Sequence, residues 1–165
     1  MKAGTVIVVL CFVVCACGAG GHLSESGFRA KANAICRELN RRAASVGPPT
    51  AKSFERRIAD IELGIGELSR FKPPPQDRAR YADFLTRLRR LLAFAKNTGP
   101  QLLALSQQLE RAMPKRVTAS GARRFKRLAR LIAALEKPAQ KDAHLAGVDA
   151  RALHLPACAV GASGG

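Results

Sequence analysis

An all-α fold is predicted for this 165-residue chain by three features of its sequence. Ala, Leu and Arg dominate, while strand-favouring residues are sparse beyond the first fourteen positions; there are seven Phe, one Tyr and no Trp. Apolar residues recur at spacings of three and four through several long stretches, which is the period of one helix face. Proline groups punctuate those stretches at positions where a missing amide donor stops or bends a helix. These features predict an antiparallel helical bundle of four to six helical segments, with kinks near Pro100, Pro114 and Pro138. The length corresponds to one domain large enough to bury its own core.

The chain opens with Met1-Lys2, a twelve-residue apolar run from Ala3 to Val14, and the small-residue close Cys15-Ala16-Cys17. This is the pattern of a secretory signal, and the run is too short to span a bilayer comfortably. Val14-Cys15-Ala16-Cys17-Gly18 also resembles a bacterial lipoprotein signal, with an aliphatic residue three before the modified cysteine, a small residue just before it and glycine after. That resemblance implies Cys17 as the lipid-bearing residue and a membrane held through a lipid anchor. Cys15 departs from it, since Ala, Ser or Thr is preferred there. Cleavage near Ala19-Gly20 would instead release a freely secreted protein, and an uncleaved tail would stay in the membrane. The expected division is residues 1–17 as signal, 18–26 as flexible tether, 27–158 as one helical domain and 159–165 as a loose tail.

Within the domain, Phe28, Ala32, Ile35, Leu39, Ala43 and Val46 mark the apolar stripe of a first helix, with Cys36 at its edge. Gly47-Pro48-Pro49 stops it, and Thr50 can cap the next. There Phe54, Ile58, Ile61, Ile65 and Leu68 step by four, three, four, three, a heptad seam that Leu63 and Phe71 would widen. Lys72-Pro73-Pro74-Pro75 reverses the chain. Tyr81, Phe84, Leu85, Leu88, Leu91, Leu92 and Ala95 form a third stripe, interrupted by Asn97-Thr98-Gly99-Pro100 and continued by Leu102, Leu105, Leu109 and Met113. Whether residues 77–113 are one bent helix or two stays open in the pattern. A fourth face follows through Gly121, Phe125, Leu128, Ile132 and Leu135, with Phe125 expected in the core, and a segment after Pro138 continues to Leu153.

Lys and Arg total 28 against 12 acids, for a net charge of +16. Such an excess attracts anionic lipid, acidic polymers and nucleic acid, and it is also a plain route to solubility. The densest positive patch is Arg123, Arg124, Lys126, Arg127 and Arg130, on the back of the fourth stripe. Of five cysteines, Cys11, Cys15 and Cys17 fall in the signal region, leaving Cys36 and Cys158 in the body. An even pair in an exported chain points to a disulfide, against the alternative of two buried thiols. No Cys-x-x-Cys pair stands in the body, so redox exchange and structural zinc have no sequence support.

Asn33-Ala34-Ile35-Cys36, the helix end from Leu68 to Pro74, Tyr81-x-x-Phe84-Leu85 and Ala152-Leu153-His154-Leu155-Pro156-Ala157-Cys158 together resemble a group of small Ala- and Arg-rich exported or lipid-anchored proteins of high-GC actinobacteria. The likeness covers about Phe28 to Cys158 and places that group's paired cysteines at Cys36 and Cys158. It implies no catalytic residues and no cofactor. This chain departs at Pro138, where an unbroken final helix is expected, and at His154, where a glycine is expected.

His22, His144 and His154 are too scattered for a local ligand pair, although His144 with Asp142, or His154 with Asp149, could meet on the last helix. No glycine-rich phosphate loop follows a strand, and no Ser-His-Asp order stands in a recognisable context. Glu55 and Glu62 share a helix face at a spacing that acid–base chemistry could use, and salt links to Arg are the commoner reason for it. A non-catalytic envelope protein is therefore expected, its basic surface meeting anionic lipid, wall polymer or an envelope protein. Two alternatives remain: a nucleic-acid binder using residues 123–130, against which stand the export signal and the lack of stacking aromatics, and a small-molecule carrier with a pocket between helices.

Overall fold

The computed structural model describes residues 23–47, 50–112 and 119–159. Four helices make up most of them: α1 (Glu25–Ser45), α2 (Ala51–Ser69), α3 (Arg78–Ala112) and α4 (Ala119–Ala152). Short 3-10 turns occupy Pro75–Asp77 and Pro156–Cys158, and the described residues contain no strand. Cys17, His22 and the expected kink at Pro114 lie outside them.

Local chemistry sets the ends. Ser24 caps α1, its hydroxyl accepting from the Gly27 amide at 3.1 Å, so the helix begins three residues before the apolar stripe. The expected tether through residue 26 is therefore helical from Glu25, and Leu23 already packs against the core. Thr50 caps α2 as expected, within a reciprocal pair in which Ser53 Oγ accepts from the Thr50 amide at 2.8 Å.

Helix α3 runs through Asn97-Thr98-Gly99-Pro100, so of the two alternatives open for residues 77–113 the described part is one helix, and α4 likewise runs through Pro138. A proline ring crowds the Cβ of the residue before it, and Gly99 has none, which removes that obstacle at Pro100. Gly99 also lets the Phe54 ring of α2 lie directly on α3. Lys137 gives Pro138 no such relief; there Leu128 on one side and Ala146, Ala150 and Leu153 on the other are buried and hold the two halves of α4 in place.

Successive helices are antiparallel neighbours. Arg42 of α1 meets Asp60 of α2 and Leu39 lies against Gly64; Tyr81 Oη of α3 donates to the Leu68 carbonyl at 2.7 Å, while Lys96 reaches Glu62 at 2.7 Å; Arg87 reaches Asp149 of α4 at 2.9 Å. Helix α1 approaches α3 and α4 through side chains alone, the Cα atoms staying more than 8 Å apart. The core gathers where both chain ends meet, around Phe28, Leu68, Phe84, Leu153 and Leu155, with the Phe28 and Tyr81 rings edge to face at 5.0 Å. The opposite end, at the last turns of α3 and the first turns of α4, buries little among the described residues. Leu63, at 52 % exposure, does not widen the α2 seam, Ile61 of that seam is 41 % exposed because it lines a cavity, and Phe125, expected in the core, is 37 % exposed.

Candidate functional site

One polar line on α1 organises the closing of the chain. Asn33, Cys36 and Asn40 lie at i, i+3 and i+7, on one helix face. The Asn33 side chain donates to the His154 carbonyl at 3.1 Å and accepts from the Ala157 amide at 3.0 Å; Asn40 donates to the Ala157 carbonyl at 2.9 Å. Between them the sulfurs of Cys36 and Cys158 stand at disulfide-bonding distance, 2.07 Å, with Cα atoms 5.1 Å apart. The 154–158 segment is thus a strap laid across α1. It starts from a helix end in which the Leu155 amide reaches back to the Ala150 carbonyl at 2.7 Å and the His154 amide to that of Arg151 at 3.0 Å. Such an end needs a left-handed residue at its turn. His154 fills that place at φ 56°, which is where the resemblance asks for glycine. Residues from 33–36, 68–74, 81–85 and 152–158 all meet at this end of the molecule.

The second feature is electrostatic. Helix α4 carries eight cations against three acids, whereas α2 carries three against four. Two of the acids of α4 are drawn toward α3: Asp149 pairs with Arg87, and Asp142 lies 4.0 Å from both Arg87 and Arg90. Arg123, Arg124, Lys126, Arg127 and Arg130 are all exposed, and among the described residues none of them has a carboxylate within 4.0 Å. The sequence-predicted patch is therefore an exposed cationic surface on the first half of α4.

Third, a cavity of about 710 Å³ opens in the gap between α1 and the α3–α4 pair. Leu39, Ile65, Phe84, Leu88 and Leu91 line it, the disulfide-distance pair forms part of one wall, and Asn40 is its one polar amide side chain. A shallower groove of about 510 Å³ between α2 and α3 contains Glu55 and Glu62, and Glu62 is engaged by Lys96. The two carboxylates thus share a groove wall; Glu62 pairs with Lys96 rather than with an Arg, and Glu55 has no cation within 4.0 Å among the described residues.

His144 and His154 are both exposed, and the aspartates named beside them belong to Arg87 and Arg90 instead. Among the described residues no group of three His, Cys, Asp or Glu side chains could hold a metal ion, and no helix is long and apolar enough to cross a membrane. Four groups have displaced protonation. Hydrogen bonds from Arg41 and then Arg42 hold the Glu38 carboxyl down at about 2, the same contacts raise both guanidinium groups, and burial pushes the Tyr81 hydroxyl up.

No protein-family model matches the chain, and no curated protein or solved structure matches it either.

Asn40 and Arg87 are the working residues that sequence reading passed over. A signal for Asn40 exists in retrospect: Asn33, Cys36 and Asn40 form a polar line along a helix whose remaining stripe is apolar. Arg87 carries no such mark, being one of seven cations in α3.

Proposed function

We propose that this is a non-catalytic, exported envelope protein whose basic surface engages anionic envelope components. It is anchored on the outer face of the cytoplasmic membrane through Cys17 or freely secreted, and its helical bundle is closed by a Cys36–Cys158 disulfide. The observation that carries this reading is the cluster Arg123, Arg124, Lys126, Arg127 and Arg130, exposed and without carboxylate partners among the described residues. Desolvated or paired cations serve the fold, whereas an unpaired cluster is available to an anion from outside. Heparin binding at low and moderate salt tests it. Retention that falls steeply with salt, and that weakens when the five residues are neutralised, supports the patch; equal retention of wild type and neutralised protein would leave only diffuse charge. Replacing Cys17 by Ser is expected to release the protein from membranes into the medium, and unchanged membrane retention would remove the anchor.

The cavity beside the strap favours a second reading, a carrier of an apolar small molecule, since its volume falls in the range of ~300–1,000 Å³ typical of ligand sites and its lining is almost wholly apolar. Extraction of the natively isolated protein with organic solvent would reveal a co-purifying ligand; recovery of none, together with no protection by added alkyl chains against thermal unfolding, would count against it.

A further inference from the structure

The basic surface does not stop at Arg130. At 100° per residue, Arg123, Arg127, Arg130, Lys137, Lys141 and Arg151 all project within an arc of about 120° on the outer side of α4, and together they run about 42 Å along its axis. All six are exposed, and among the described residues none lies within 4.0 Å of a carboxylate. No acid interrupts the row, because Asp142 and Asp149 turn toward α3 and Glu136 lies on the flank. A file of single-sign charge along one helix face matches an anion that is itself a line.

From this we infer that the outer face of α4 is a seat for a linear polyanion, a polymer bearing phosphate groups along an extended backbone, lying parallel to the helix; the inference rests on the proposed role of the basic surface and names the partner class. A bilayer fits less well. Amphipathic helices hold membranes by burying their apolar side, and here that side is spent on the rest of the fold, with Leu128, Ala146, Ala150 and Leu153 all buried. Within the row itself Val148 is the one large apolar side chain exposed. Single-stranded nucleic acid fits less well too, since this face carries no Phe, Tyr or Trp on which bases could stack.

The test uses the full chain and linear inorganic polyphosphate of graded length, with inorganic phosphate, duplex DNA and phosphatidylglycerol-containing vesicles as comparison arms, each at two salt concentrations. Two double variants divide the row: Arg123→Gln with Arg127→Gln, and Lys137→Gln with Lys141→Gln. All four positions are exposed and unpaired, so both variants retain the fold. The expected result is affinity that climbs with polymer length until the chain spans the row, and that falls about tenfold or more in each double variant, with the salt slope reduced by between one and two. Affinity independent of length, with loss only in the Arg123/Arg127 variant, would overturn the row and leave a compact patch standing. Vesicles bound as tightly as polyphosphate, or DNA bound more tightly at matched charge, would overturn the choice of partner. Failure of every anion to bind would sink the basic-surface reading itself.

Discussion

His154 sits where the backbone turns left-handed, at φ 56°, and this is the most specific prediction available at a single residue. An L side chain there costs about 1–2 kcal/mol relative to glycine. The Asn33 contact uses the backbone carbonyl and survives substitution. His154→Gly is therefore expected to raise the melting temperature by roughly 2–6 °C, as a thermal melt would read; an unchanged or lowered value would mean that the imidazole makes compensating interactions. Tyr81→Phe keeps the ring contact with Phe28 but loses the hydroxyl bond to the Leu68 carbonyl, at a cost of about 1 kcal/mol. Burial holds the Tyr81 proton beyond its ordinary 10.0, so above that pH the folded state binds more protons than the unfolded one and stability falls as pH rises. Denaturant midpoints measured from neutral to alkaline pH should show this fall in the wild type and a shallower one in Tyr81→Phe. Glu38 works in the opposite direction. Its carboxyl is held near 2 against an ordinary 4.5, so what it contributes is present above the ordinary range and is lost as pH falls from about 4.5 toward 2. Proton titration followed by NMR reads that value directly, and a midpoint near 4.5 would show that the Arg41 and Arg42 contacts do not hold in solution.

At the scale of elements, the periods of three and four located all four helices because each has a face to bury, and Thr50 located one start because its cap is a local event. Element ends and continuity were less legible. Helix α1 begins early because Ser24 reaches the Gly27 amide, and α3 passes Pro100 because Gly99 and the neighbouring helices relieve a local penalty that sequence alone can only count against the helix. Phe125, Ile61 and Leu63 belong to apolar patterns, yet how far each is covered depends on which neighbour reaches that far along the rods. The strap was half legible. Two body cysteines suggested its covalent part, whereas Asn33 and Asn40, which hold the same segment by hydrogen bonds, look like ordinary surface residues of a helix until the far end of the chain is laid beside them. Removing the covalent part by Cys36→Ser frees a loop of 122 residues, which on the chain-entropy account destabilises the fold by about 4–5 kcal/mol, a drop in melting temperature on the order of 10–20 °C. Asn33→Ala should cost less, about 1–3 kcal/mol, since it leaves the Ala157 amide without its acceptor.

Taken as a whole, the molecule is uneven along its length. One end gathers the aromatic core, the strap and the beginning and end of the described chain; the other, about 50 Å away by the length of α3 at 1.5 Å per residue, buries little among the described residues, and the unpaired cations of α4 run from it back to Arg151 beside the strap. If Cys17 carries lipid, the strapped end is the one held to the membrane, because α1 starts there. An oxidised strap presupposes a compartment outside the reducing cytoplasm, so export and closure stand or fall together. The most direct measurement is the thiol state of Cys36 and Cys158 in protein taken from its native cells, trapped with an alkylating reagent before lysis and read by peptide mass. The account predicts one cross-linked pair of peptides, two hydrogens lighter than the sum of the free thiols and carrying no alkyl label. Two fully alkylated cysteines in folded protein would contradict it.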